Sequence, residues 1–205
     1  MAGRALTELY ARFLTRTNQL VQTFGSPVPP APPFRESCLQ LHVYGRLNLV
    51  VRLQVLWAEF CRELVERSAL GGCRSLGGKV LPRAPGVSGL SDIRKIALAE
   101  SGRRPPPWHL TWFAVRVARR VGVQNLVEIR NGLSAVSAVD DLVAVRNYVV
   151  HPNEKTRVEY ARVARRANCA GAAPQGLLAT YQTGGATLFE AWVADLQTMA
   201  LNAIR

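Results

Sequence analysis

Lysine is nearly missing from this chain: of 26 lysines and arginines in 205 residues, only Lys79, Lys95 and Lys155 are lysines. Acidic residues are also few, at 14, so the formal net charge is +12 and the sequence pI about 10.6. That imbalance points to a polyanionic partner, such as nucleic acid or an anionic membrane surface. Arginine in place of lysine suits bidentate phosphate contacts, although a coding bias towards Arg, Ala, Gly and Val accounts for the choice equally well. Long apolar runs are absent, so no membrane span is expected. The N-terminus also lacks the short apolar core of a secretory leader. Cys38, Cys61, Cys73 and Cys169 form no CxxC pair, and no histidine lies at zinc-finger spacing. They read as free thiols of a reducing compartment, with no structural metal and no cofactor, and the location expected is cytoplasmic.

What the chain does have is apolar residue, at 48%, enough for one buried domain with appendages. Residues 3–24 place Leu6, Leu9, Phe13, Leu20 and Phe24 on one helical face, with Gly25 as a stop. This predicts an amphipathic docking helix, although an arginine-rich, acid-poor N-terminus also resembles a mitochondrial transit peptide. The stretch from Gly25 to Phe34 is a stiff proline-rich linker, so 1–34 is set apart as an arm and 35–205 as the helical domain. Residues 37–68 are ambiguous. Leu47, Leu49, Val51, Leu53 and Val55 alternate as in a strand, whereas Val43, Leu47, Val50, Trp57, Cys61 and Leu64 follow a helical stripe; length favours helix, with Gly45 a candidate kink. Gly71–Gly86 invites comparison with a phosphate-binding loop, but Cys73 and Val80 stand where that motif needs glycine and Ser/Thr, so a mobile surface loop is expected.

Further along, Ser91 is the expected cap of a short helix ending near Gly102. Pro107 is expected early in a helix that stops at Gly122, with Leu110, Phe113, Val117 and Val121 buried. Arg116, Arg119 and Arg120 gather towards its carboxyl end, where they complement the helix dipole; a solvated helix end is the plainer account, an RNA contact the alternative. Trp108 and Trp112 read as core or interface anchors rather than stacking platforms. A helical piece over Leu126–Leu133 leads into the central stretch. After it, Thr156 and Glu159 suggest a capping box opening a helix to about Asn168, carrying Arg162, Arg165 and Arg166. Gly184–Gly185 between apolar runs suggests a small β-hairpin, and Thr187 with Glu190 caps a last helix bearing Leu188, Trp192, Leu196, Met199 and Leu201. The fold class expected is all-α, with no internal repeat.

The stretch Ser137–Asn153, SAVDDLVAVRNYVVHPN, carries the chemistry. Leu142, Val145 and Val149 mark a buried stripe, widened by Val143 and Val150. Arg146 is one turn from Leu142 and Val150, so its stem can follow the buried face while the guanidinium seeks an anion. His151 comes five residues later, roughly 140° further round an ideal helix, so both side chains meet one ligand only if the helix loosens towards Pro152. Arginine, a polar residue, three more and histidine resembles the signature of the HEPN superfamily (higher eukaryotes and prokaryotes nucleotide-binding domains), many of whose members are ribonucleases. Arg104–His109 and Arg35–His42 also fit by spacing. The first is followed by three prolines and the second by Glu36 at the exit of the linker, so only Arg146 has a helical apolar run before it, Asn147 after it and a helix break at the histidine.

The resemblance covers about residues 40–168 and implies a helical bundle, a long first helix packed on the arginine helix, and a homodimer bringing two Arg146 and two His151 around one phosphate. It implies metal-independent RNA cleavage, with Arg146, His151 and Asn147 catalytic. Tyr148, Asn153, Lys155, Arg116, Arg120, Arg162 and Arg166 are candidate substrate contacts, Tyr148 and Asn153 being equally explicable as packing and capping. Toxin-type members often carry a tyrosine two residues after the histidine; this chain has Asn153 there. RNA, a second copy of the chain and an antitoxin or other regulatory protein are the partners implied. A non-catalytic RNA- or nucleotide-binding module, or a helical subunit of a nucleoprotein complex with Arg146 and His151 as a satisfied core pair, are the alternatives.

Overall fold

A computed structural model of the chain describes residues 5–25, 35–134, 137–182 and 184–205, with only the backbone described for 35–44. The linker 26–34, and the side chains of Cys38, His42 and Val43, lie outside the described residues. The fold is all-α. Among the described residues there are nine helices: α1 (Leu6–Gly25), α2 (Arg35–Leu70), α3 (Leu90–Glu100), α4 (Thr111–Val121), α5 (Leu126–Gly132), α6 (Ser137–Val150), α7 (Glu154–Arg166), α8 (Pro174–Leu178) and α9 (Leu188–Ala203). Pairing between extended segments is confined to two isolated antiparallel bridges, Arg74 with Val80 and Tyr181 with Thr187. None of these helices is long and apolar enough to cross a membrane.

The chain divides into two compact units. One comprises Met1–Thr15, Val55–Val136 and Leu196–Arg205; the other comprises Arg16–Gln54 and Ser137–Asp195. In the first, Phe13 of α1 packs on Trp57 and Phe60 of α2, and Arg12 pairs with Glu63. The expected apolar face of α1 is buried along its length, from Leu6 to Phe24. In the helix set apart as an arm, the residues up to Thr15 are thus core of this unit. α2 is helical throughout and continues through Gly45. Val50, Leu53, Trp57, Cys61 and Leu64 are buried at helical spacing while Val55 is 50% exposed, which is incompatible with the alternating reading.

Several local expectations are corrected. α3 begins at Leu90, not after Ser91: the Asp92 carboxylate folds back to accept from the backbone N–H groups of Ser88 and Gly89, so aspartate at the third helical position does the capping. α4 begins at Thr111, because Pro107–Leu110 forms a separate turn closed by Leu110 N–H to Pro107 O. Gly122 ends it in the left-handed conformation as expected. Gly71–Gly86 is not a loose loop. Gly72 N–H donates to Leu81 O and Leu81 N–H to Cys73 O, while Leu6 N–H reaches Arg74 O and Leu76 N–H reaches Ile204 O. Cys73, Leu81, Ala84 and Val87 are buried beneath it. The C-terminal hairpin shrinks to the single Tyr181–Thr187 bridge around Gly184 and Gly185, since Pro174 starts α8 and draws Leu177 and Leu178 into a buried helical turn. The Thr187–Glu190 capping box forms, and of the expected α9 stripe only Leu201 is not fully buried.

Two glycines give opposite expectations. A Cβ on Gly132 would lie 2.3 Å from Ala203 N, whereas one on Gly45 meets nothing within 4 Å. Gly132→Ala should therefore lower the unfolding free energy by at least about 2 kcal/mol, as overpacking against backbone does. Gly45→Ala should raise it by about 0.5–1 kcal/mol through helix propensity. Urea denaturation of both variants measures the contrast.

Candidate functional site

α6 and α7 pack against each other within the second unit, joined by the three-residue turn His151–Pro152–Asn153. Asn153 is the N-cap of α7: its Oδ1 accepts from Thr156 N–H at 3.0 Å, and Thr156 Oγ1 accepts from Asn153 N–H at 3.0 Å. This replaces the expected Thr156–Glu159 box. Thr156 sits inside the first turn, as the third helical residue, so it is not the cap. Its hydroxyl instead donates to the carbonyl of His151 at 2.9 Å, which Asn153 Nδ2 also reaches at 3.1 Å.

On α6 the buried stripe is Ala138, Val139, Leu142 and Val145; Val149 is half-buried and Val150 exposed, so the core-facing side ends before the motif does. Arg146 follows immediately. It is half-buried, its Nε is shielded from water without a hydrogen-bond partner, and its Nη1 donates to Asn147 Oδ1 at 3.1 Å. None of the ion pairs found among the described residues involves it. His151 is exposed, and its N–H still donates to Asn147 O at 2.8 Å. The helix therefore does not loosen ahead of His151, as the proline had suggested. Arg146 and Asn147 are brought together, and no hydrogen bond joins Arg146 to His151.

The remaining candidates fall into separate places. Tyr148 stacks on Tyr160 at 4.6 Å between ring centroids, and Tyr160 donates its hydroxyl to Ala172 O; burial pushes the Tyr160 phenol up to about 12. Both tyrosines are packing residues here, and Asn153 is a cap. Lys155 is exposed. Arg116 lies over the Trp112 ring at 4.9 Å and Arg120 faces Glu100 at 3.8 Å, both in the first unit. Trp112 is 52% exposed, not a core anchor. Arg162 and Arg166 are exposed and line an open cleft of about 310 Å³ between α6 and α7. Val143, Ala144 and Val163 are its apolar lining. Asp140 and Glu159 complete the lining, and sequence reading overlooked both. The available signal was the spacing Asp140, Val143/Ala144, Asn147, His151, which runs along one helical face.

Asp141 pairs with Arg166. Burial raises the Asp141 carboxyl above its ordinary range, the Arg166 guanidinium pulls it back, and neighbouring Asp140 raises it. No cluster of histidine, cysteine and carboxylate suited to a metal ion occurs among the described residues, and Cys61, Cys73 and Cys169 are free. Comparison with protein-family models, curated proteins and solved structures finds no match to this chain.

Loss of the cap should show as stability: Asn153→Ala should cost about 1 kcal/mol in urea unfolding. The Asp141 pair predicts a pH dependence. Because native Asp141 holds its proton more tightly than the unfolded chain, its contribution to stability declines as pH rises through the window above 3.8. Arg166→Ala removes the compensating charge and enlarges that decline. The drop in melting temperature caused by the substitution should thus be larger at pH 7 than at pH 4, and an equal drop at both would mean the pair has no electrostatic role.

Proposed function

We propose that this protein is a metal-independent RNA endonuclease of toxin or phage-defence type, of the HEPN kind, working as a homodimer. The observation that carries the reading is Arg146: a half-buried guanidinium with a shielded, unpartnered Nε, held at Nη1 by Asn147 and without a carboxylate partner among the described residues, five residues before an exposed histidine. A structural arginine at such a site is normally neutralised by an acidic partner. One kept free of acid suits a phosphate.

In the reaction the RNA 2′-oxygen attacks phosphorus and the 5′-oxygen leaves, giving a 2′,3′-cyclic phosphate and a 5′-hydroxyl. One His151 takes the 2′-hydroxyl proton and the partner's His151 gives a proton to the departing 5′-oxygen. Paired Arg146 side chains stabilise the charge on the phosphorane-like transition state. Asn147 keeps Arg146 in its rotamer. A single histidine cannot flank both sides of an in-line displacement, so dimerisation belongs to the mechanism, and an antitoxin or regulatory partner would act by blocking it. A second reading is a non-cleaving RNA- or nucleotide-binding module, favoured by the cleft and its unpaired charges. An exposed His151 with no bond to Arg146 is not the geometry of a satisfied core pair, which weighs against a purely structural subunit.

Purified protein should cut a mixed structured RNA in excess EDTA. His151→Ala should reduce the rate by about 10²–10⁴-fold and Arg146→Ala by about 10²–10³-fold, with melting temperatures retained. RNA binding by all three proteins with cutting by none would replace the nuclease with the binding module.

A further inference from the structure

The solvent side of α4 is given over to one aromatic ring and three cations. At about 100° per residue, Trp112, Arg116, Arg119 and Arg120 fall within an arc of roughly 100°, while Phe113, Ala114, Val117, Ala118 and Val121 are buried on the opposite side. Trp112 is 52% exposed, against 0% for Trp57 and 2% for Trp192. An indole is a large apolar body that folding normally takes out of water. This one is also held still: the Phe113 ring stands at 85° to it with 5.9 Å between centroids, and the Arg116 guanidinium lies over it at 4.9 Å.

The charge around the ring is of one sign. Residues 101–127 contain five arginines and no aspartate or glutamate. Arg103, Arg104, Arg116 and Arg119 are exposed and belong to none of the ion pairs found among the described residues. The one carboxylate paired with the group, Glu100, stands 3.8 Å from Arg120, whose side chain is 73% exposed, so it neutralises little. Glu100 ends α3, and this contact sets the turn carrying Arg103 and Arg104 beside the carboxyl end of α4. Arg103 occupies left-handed backbone, φ 64°, where a glycine is favoured and an arginine is held at a cost.

We infer that this face of α4, with the turn that follows α3, binds single-stranded RNA: a base stacks on the Trp112–Arg116 pair, and Arg119, Arg120, Arg103 and Arg104 take neighbouring phosphates. Every base has a face to stack and every nucleotide a phosphate, so a fixed indole beside a row of forked cations suits an unpaired strand of any sequence. Duplex RNA offers the phosphates but keeps its bases stacked on one another. A membrane fits less well, because the apolar side of α4 is already buried and leaves a single indole to insert. A protein interface gathers apolar side chains at its centre and thins out charge there, whereas three of the four residues on this face are charged. The choice of RNA over DNA rests on the nuclease reading; the stacking does not.

The test measures binding of a labelled oligouridylate, a blunt RNA duplex and the matching oligodeoxyuridylate to the full chain carrying His151→Ala, which lacks the histidine assigned to cutting. Trp112→Ala should weaken oligouridylate by about 5–100-fold and the duplex by less than about twofold. Trp112→Phe should keep most of the affinity. Trp112→Leu, which retains apolar bulk without a π face, should lose it at a retained melting temperature, so that the loss is not one of folding. Arg119→Ala should weaken strand and duplex alike and reduce the slope of log affinity against log salt by about 0.7 for the strand. Arg103→Gly should weaken the strand while the melting temperature stays level or rises. Unchanged affinity in Trp112→Ala and Trp112→Leu, an equal loss for strand and duplex, or tighter binding of oligodeoxyuridylate than of oligouridylate overturns the inference. So does a Trp112→Ala effect confined to self-association, which gives the face to a second copy, or to capture by phosphatidylserine vesicles, which gives it to a membrane. A protein that shows the Trp112 loss but whose wild type never cuts keeps this surface and loses the nuclease; cutting with an affinity indifferent to Trp112 does the reverse.

Discussion

Two hydrogen bonds onto one carbonyl oxygen, from Thr156 Oγ1 and Asn153 Nδ2 to His151, determine where α6 stops and α7 starts. Pro152 cannot donate and restricts the residue before it, so the chain must turn here, but proline alone does not say in which direction. The reciprocal Asn153–Thr156 cap supplies the direction by satisfying the Thr156 amide in the first turn of α7 and the amide of Asn153 itself. With the turn set, α7 returns along α6, Tyr148 finds Tyr160, Asp141 finds Arg166, and the cleft opens between them. His151 is presented on the outside of this turn while its backbone remains tied to Asn147 on the helix.

The arginine surplus is handled unevenly. Arg12 and Arg67 share Glu63, Arg157 meets Glu154, and Arg83 reaches the carbonyl oxygens of Leu70 and Ser88. Arg46 and Arg146 differ from these: each has its Nε shielded without a hydrogen bond, and Arg46 lies over Phe24 at 5.0 Å. For Arg46 the ring face offsets part of the desolvation. For Arg146 the compensation found among the described residues is the neutral Asn147 oxygen, which is weaker than a carboxylate.

Helix positions were largely legible because apolar spacing is strong where a helix has one buried side. The α1 face from Leu6 to Phe24 and the α9 capping box are in the sequence as plainly as in the structure. Caps were less legible, since Thr156-x-x-Glu159 and Asn153-x-x-Thr156 are both acceptable signatures, and only the hydrogen bonds exchanged by Asn153 and Thr156 decide between them. The loop over Gly71–Gly86 was misjudged because glycine content outweighed the apolar residues Cys73, Leu81 and Val87 that anchor it. The placement of Arg146, Asn147 and His151 at the end of one helix was legible from the apolar run before them and Pro152 after them. Asp140 and Glu159 were not, because the cleft depends on two helices whose register is set by the turn.

The glycine-rich loop carries a consequence for how the chain is made. Its Arg74 carbonyl takes the amide of Leu6 and its Leu76 amide takes the carbonyl of Ile204, so the same few residues tie down segments from opposite ends of the sequence. During synthesis the hairpin of α6 and α7, built from neighbours in sequence, can form as soon as it leaves the ribosome. The first unit cannot close until Ile204 has emerged. A ribosome stalled within α9 would therefore display a finished hairpin on an unfinished protein, with the loop's backbone groups still waiting for their last partner.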